Sequence, residues 1–417
     1  MEIKNRWFVV MGAILVQLAL GAIYAWSVFT PWLVEEGWTK AQTQGVFSTG
    51  LFFFAVVMVL AGRMMPKLGP TKVAMSGGFV LGSGYLLAGL FGGTSFPALL
   101  VFIGVIGGAG IGLAYVVPIA VGMRWFPDKK GLITGLAVAG FGFGATLWVK
   151  LAGSWGSLLT SYGLSTTFTI LGIIFMAMIL LGSIWMRFPK EGWVPEGYVP
   201  PAPAEGVEVK GGTDFNSMEM LKTPQFHFIS ITFAFGASAG LMSIGLMKLW
   251  PMVALTGAGI DKVSASAIAG TAMAVFFSLA NGLGRIAWGA LSDKLGRKNS
   301  IVIMMATQGV FVILFQWMAA VPALLYLGAT LIGFNFGGNF SLFPTITADT
   351  FGSKFIGQNY GWVFLAYGFG GILGPIMGGY LGDMGNFPLA FTICGILCLI
   401  AAVIMSQIKP AVKTAVQ

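Results

Sequence analysis

Charge is what this sequence has least of. Asp, Glu, Lys and Arg make up 9% of its 417 residues, against about 25% in a soluble domain, while hydrophobic residues make up 57% and the mean hydropathy is +0.87. So few charged groups cannot cover a water-exposed surface, which excludes a soluble globular protein. Cysteine is almost as scarce. Cys394 and Cys398 stand four apart in one apolar run, share a helix face, and are too few for a disulfide framework or a metal site. His227 is the single histidine. The sequence offers no nucleophile with a base, no metal-ligand cluster and no phosphate loop, so no catalysis, metal or cofactor is expected. The glycine-rich "GGAGIGLAY" from Gly107 has the wrong spacing for a dinucleotide fingerprint and follows no strand. The formal charge of +9 comes from basic residues scattered over short loops, not from a patch that would bind nucleic acid.

What is there is a series of long apolar runs. Segments of about 20 such residues cross a bilayer as helices, and they fall near 7–33, 42–62, 73–92, 98–122, 132–157, 165–186, 224–250, 265–288, 300–319, 323–348, 359–382 and 387–408. The fold class is an all-α membrane protein with twelve transmembrane helices. Glycine, 62 of 417 residues, suits helices that pack backbone to backbone in lipid. The first run is too long for a signal-peptide core and reads as the first span. Counted by alternate loops, one side of the membrane holds 18 Lys and Arg. The other holds Lys40 and Lys262, with Lys150 and Lys248 near helix ends. That bias places both termini in the cytoplasm. "RFPKEGWVPEGYVPPAPAEGVEVKGG" from Arg187 is rich in Pro, Gly and Glu, and residues 191–222 read as a cytoplasmic linker that buries little. It joins residues 1–190 to residues 223–417.

These two parts repeat one another. "GRMMPKLG" from Gly62 recurs as "GALSDKLG" from Gly289, a shift of 289 − 62 = 227; "GLITG" from Gly131 answers "GQNYG" from Gly357 at 226, and "AGFGFG" from Ala139 answers "AYGFGG" from Ala366 at 227. Three matches in register argue for a duplicated six-helix unit, and parallel repeats with a site near the midplane are a transporter architecture.

One charge breaks the pattern. Arg285 lies inside an apolar run, eight residues before Asp293 and so roughly 12 Å along the helix from the loop. A cation at that depth costs at least about 2.5–3.5 kcal/mol. It must face a cavity and an anion, or else snorkel or bond backbone carbonyls. All 14 Asp and Glu fall in loops, tails or span ends, so the simplest anion is a substrate. Asn281, one turn earlier, shares its face and can orient the guanidinium or donate to a carboxylate.

"GALSDKLGRK" at Gly289 closely matches the loop motif of the major facilitator superfamily, and through the repeat the whole chain resembles that family. The resemblance implies a fold of two six-helix bundles and a cytoplasmic gating loop in which Asp293 accepts from Arg297 and from a helix N-terminus. The first-half copy has Pro66 where the Asp belongs. Within the superfamily, "GAIYAWSVF" at Gly21, "RWFPDKKGLITG" at Arg124, "DFNSMEMLKTPQF" at Asp214, "NGLGRIAWG" at Asn281, "LFPTITADTFG" at Leu342 and "NYGWVFLAY" at Asn359 are similar to the oxalate/formate antiporter family and its bacterial monocarboxylate relatives. This implies a carboxylate pocket between the halves, with the arginine falling on Arg285 and the aromatics on Tyr24, Tyr115, Phe141, Phe336, Phe340 and Phe364. Where the oxalate antiporter has a second cation, this chain has Tyr367. One cation matches one negative charge, which favours a short monocarboxylate such as L-lactate or pyruvate over oxalate. The resemblance further implies proton symport by alternating access, or else obligatory anion exchange, by a monomer in the bacterial inner membrane.

Overall fold

The computed structural model describes residues 5–152, 156–190, 192–198 and 214–409. Half of the linker, residue 191 and residues 199–213, lies outside the described residues, as do Lys4 and Lys413.

Among the described residues twelve long helices follow in chain order: α1 (Trp7–Trp26), α2 (Gly45–Leu68), α3 (Pro70–Gly92), α4 (Phe96–Trp125), α5 (Lys130–Ala152), α6 (Leu158–Ser183), α7 (Pro224–Leu246), α8 (Lys262–Leu295), α9 (Arg297–Met318), α10 (Pro322–Phe351), α11 (Ile356–Gly382) and α12 (Phe387–Ser406). Eleven are long and apolar enough to cross a membrane. The remaining one, α10, has 30 residues, and its apolar run is diluted by Asn335 and Asn339, both buried. Proline in the first turn starts α3, α7, α10 and α12, where its missing N–H costs nothing.

Helix pairings repeat with a period of six. In the first half α1 packs on α5 and α6, α2 on α4, and α3 on α4 and α6; in the second, α7 packs on α11 and α12, α8 on α10, and α9 on α10 and α12. The halves meet through α2 against α11 and α5 against α8. Glycine sets these contacts. A side chain at Gly62 would overlap the carbonyl of Gly357, and one at Gly289 would overlap that of Gly131, so both related crossings need backbone contact.

The first apolar run is helical in three pieces: α-helical over Trp7–Leu20, a 3₁₀ stretch over Gly21–Val28, and a short helix at Thr30–Glu35. Gly21 faces the Phe141 backbone of α5 at the break. One expectation is corrected: the end of the linker is more buried than its composition suggests. Asn216 and Glu219 form a capping box on a helix at Ser217–Leu221, Phe215 N–H donates to the Phe351 carbonyl, and Phe215 and Met220 are buried under α10 and α11.

Candidate functional site

The second half of α8 carries the polar centre. Its helix widens to π-helical turns over Ala272–Phe277 and then returns to α form through Asn281 and Arg285. Backbone contacts clamp it on two sides: Gly135 of α5 lies on the Arg285 carbonyl, and Gly337 of α10 on that of Asn281. Arg285 is fully buried. Its Nε donates to Asn281 Oδ1 at 2.9 Å and its Nη1 to the Val138 carbonyl at 3.0 Å. The guanidinium carbon lies 4.0 Å from the ring centre of Phe340 and 5.3 Å from that of Phe141, so two π faces share the charge. Arg285 does not snorkel. Among the described residues no Asp or Glu is buried and none pairs with it.

Aromatic side chains close around this cation. Tyr24 and Tyr115 stand edge-on to Phe141 with centroids 5.0 and 5.4 Å away; Tyr115 is 5.3 Å from Phe364, and Phe364 is 4.7 Å from Tyr367. Phe340 lies 5.5 Å from Tyr367 and 5.3 Å from Phe336, which stands behind it toward α7. Tyr24 of α1 and Tyr367 of α11 share a hydrogen bond of 2.7 Å across the two halves. The nine residues singled out in the sequence thus form one contiguous cluster, with Phe336 in its outer layer. Three polar atoms in it are buried without a hydrogen-bond partner: Arg285 Nη2, Asn281 Nδ2 and Tyr115 Oη. Each can donate. A buried donor left unpaired costs about 1–3 kcal/mol, so such a group of them needs an acceptor.

The sequence reading missed Phe54. It lies at the centre of the cluster, with centroids 4.9 Å from Tyr115 and 4.8 Å from Phe364. A signal existed, because the repeat shift of 227 carries Phe54 and Met58 onto Asn281 and Arg285. The first half therefore places an apolar pair where the second places amide and cation.

Below this centre, the turn between α8 and α9 reaches the start of α5. Asp293 accepts from the N–H groups of Gly131 and Leu132 at 3.0 and 2.9 Å and pairs with Arg297 at 2.6 Å. Arg297 and Lys130 both pair with Asp349 at the end of α10, at 2.9 and 3.0 Å. A carboxylate on the first N–H groups of α5 satisfies both hydrogen bonding and the helix dipole. On the related side, where Pro66 stands, Arg63 instead lies over the Trp362 ring at 5.3 Å, and Arg124 donates to the Lys354 carbonyl at 2.8 Å. His227 is exposed at the start of α7, and Cys394 and Cys398 are free and buried.

Comparison with known proteins agrees with this architecture. The model of the Major Facilitator Superfamily matches residues 9–276 and 235–415. The chain is 29% identical over 409 residues to the oxalate:formate antiporter of Oxalobacter formigenes, covering 97% of this chain and 92% of that protein. It is 25% identical over 453 residues to apicoplast pyruvate carrier 1 of Toxoplasma gondii, covering 87% and 82%. The crystal structure of the transporter FucP in its outward conformation superposes with a TM-score of 0.64 at 16% identity, covering 96% of this chain and 99% of that one, which shows the fold. This chain belongs to the Major Facilitator Superfamily, an integral membrane transporter similar to the oxalate/formate type and not an enzyme.

Proposed function

We propose that the protein carries a small monocarboxylate, L-lactate or pyruvate, across the bacterial inner membrane together with a proton. The observation that carries this reading is the group of unpaired buried donors around a single buried cation: Arg285 Nη2, Asn281 Nδ2 and Tyr115 Oη. A carboxylate accepts from all three and cancels the charge. Tyr367, bonded to Tyr24, supplies no second cation, which matches one negative charge and not two. Phe141, Phe340 and Phe364 give the acid's short aliphatic part an apolar wall.

Transport follows from the charge. Arg285 alone holds water when the site opens; a bound carboxylate neutralises it, and the rings then close over a neutral pair at lower desolvation cost. The moving units are residues 1–190 and 223–417, joined by 191–222, with both termini cytoplasmic. Opening inward breaks the Tyr24–Tyr367 bond and the contacts of Asp293 with the start of α5, while opening outward keeps the latter. Asp293 and Arg297 are in this reading the cytoplasmic latch. With no buried carboxylate among the described residues, the proton travels on the substrate or on the hydroxyls beside Arg285. The likeness to the oxalate:formate antiporter favours a second reading, anion exchange.

The two readings separate in proteoliposomes. Symport predicts that labelled L-lactate uptake follows an inward proton gradient with no internal anion and is blocked by pyruvate but not oxalate. Uptake that needs an internal anion, with oxalate the best competitor, overturns it.

A further inference from the structure

One buried hydroxyl near the site has no place in the reading above. Tyr360 is fully buried on α11, and its Oη has no hydrogen-bond partner. Tyr360, Phe364 and Tyr367 are spaced four and three apart, so they share one helix face. That face carries the ring cluster: Tyr360 lies 5.7 Å from Phe364, which lies 5.3 Å from Tyr115. Phenylalanine fills the neighbouring positions at 54, 141, 340 and 364, so filling the space does not require the Tyr360 oxygen.

Donor counting says what the extra hydroxyl is for. Arg285 Nη2 and Asn281 Nδ2 carry two N–H bonds each, and Tyr115 and Tyr360 one O–H each. A carboxylate offers about four lone-pair sites. With Arg285, Asn281 and Tyr115 on the carboxylate its lone pairs are taken, and the Tyr360 O–H is left for a further acceptor beside it.

We infer that Tyr360 is a specificity-determining residue whose hydroxyl, beside the carboxylate held by Arg285, Asn281 and Tyr115, donates to an oxygen on carbon 2 of the acid. The substrate class is then the 2-oxo and 2-hydroxy monocarboxylates, and unsubstituted acids of the same length bind poorly. This inference rests on the proposed carboxylate site.

The test is competition against labelled pyruvate uptake in proteoliposomes, with L-lactate and propionate as probes, on native protein and on Tyr360→Phe. Native protein is expected to bind pyruvate and L-lactate at least about tenfold more tightly than propionate, the value of one buried hydrogen bond. Tyr360→Phe is expected to weaken pyruvate and L-lactate about tenfold and to leave propionate unchanged, collapsing the ratio. A purely structural Tyr360 would change all three acids alike. Equal native affinity for propionate and pyruvate overturns the inference even if the variant does not fold, and so does a variant that keeps the native ratio. If labelled pyruvate is not taken up at all, it is the carboxylate reading that has failed, and this inference falls with it.

Discussion

A guanidinium in a dry, ring-lined interior is stable only with its hydrogens placed, and Arg285 has two of them placed by neutral acceptors, Asn281 Oδ1 and the Val138 carbonyl. Those bonds hold the plane of the group and leave Nη2 without a hydrogen-bond partner. Lysine cannot reproduce this, since an ammonium is a point charge without the planar fork. Arg285→Lys is therefore expected to lose at least about 100-fold in kcat/KM for L-lactate uptake despite keeping the charge; near-native kcat/KM would show that charge alone suffices. Asn281→Ala removes the bond that orients the guanidinium and one donor, and is expected to raise KM about tenfold, read from uptake against substrate concentration. Much of this was legible in the sequence at the residue scale, because a charge inside an apolar run is a costly exception. Phe54 was not, being one of 35 phenylalanines with no local signal, and only the repeat register singles it out. The orphaned hydroxyls of Tyr115 and Tyr360 were not legible either, since whether a hydroxyl finds a partner is decided by helices distant in sequence.

At the scale of elements, the crossing of α5 and α8 couples site to gate. Gly131 meets Gly289 beside Asp293, and Gly135 meets Arg285 a turn further in, so the proposed latch and the cation lie on one helix crossing. Gly289→Val drives a side chain into the Gly131 carbonyl. It is expected to hold the cytoplasmic side open, seen as faster thiol labelling of a cysteine placed at Leu132, with uptake abolished; unchanged labelling would show that the crossing tolerates separation. Asp293→Ala leaves two N–H groups at the start of α5 without their acceptor. A lost cap is worth about 0.5–2 kcal/mol, so the same labelling is expected to rise roughly 2- to 30-fold while the protein stays folded. Spans were legible because about 20 apolar residues have few alternatives in a chain so poor in charge. The break of α1 at Gly21 was not, because it depends on the close approach of α5, and the packing of Phe215 and Met220 was hidden by the polar residues around them.

Over the whole molecule, the same six-helix pairing occurs twice, but the two halves are chemically unlike. The second half carries Asn281, Arg285 and Asp293; the equivalent positions of the first carry Phe54, Met58 and Pro66. In the proposed reading, a symmetric frame with one cation and one carboxylate latch gives a single binding site that both halves close over, as alternating access requires. Cysteines at Lys130 and Asp349, whose native side chains pair across the halves, are expected on cross-linking with a short bifunctional reagent to stop uptake, and reduction is expected to restore it; transport by the cross-linked protein would rule out rocking about this interface. The architecture was legible from three short matches at one shift, while the closure of the cytoplasmic side depends on which contacts the halves make and has no counterpart in sequence spacing. The most direct measurement of the central claim is uptake of labelled L-lactate into proteoliposomes under an inward proton gradient by the native protein and by Arg285→Gln at matched incorporation. The account predicts gradient-driven uptake by the native protein and none above empty liposomes by the variant; an Arg285→Gln protein that transports L-lactate as the native one does would contradict it.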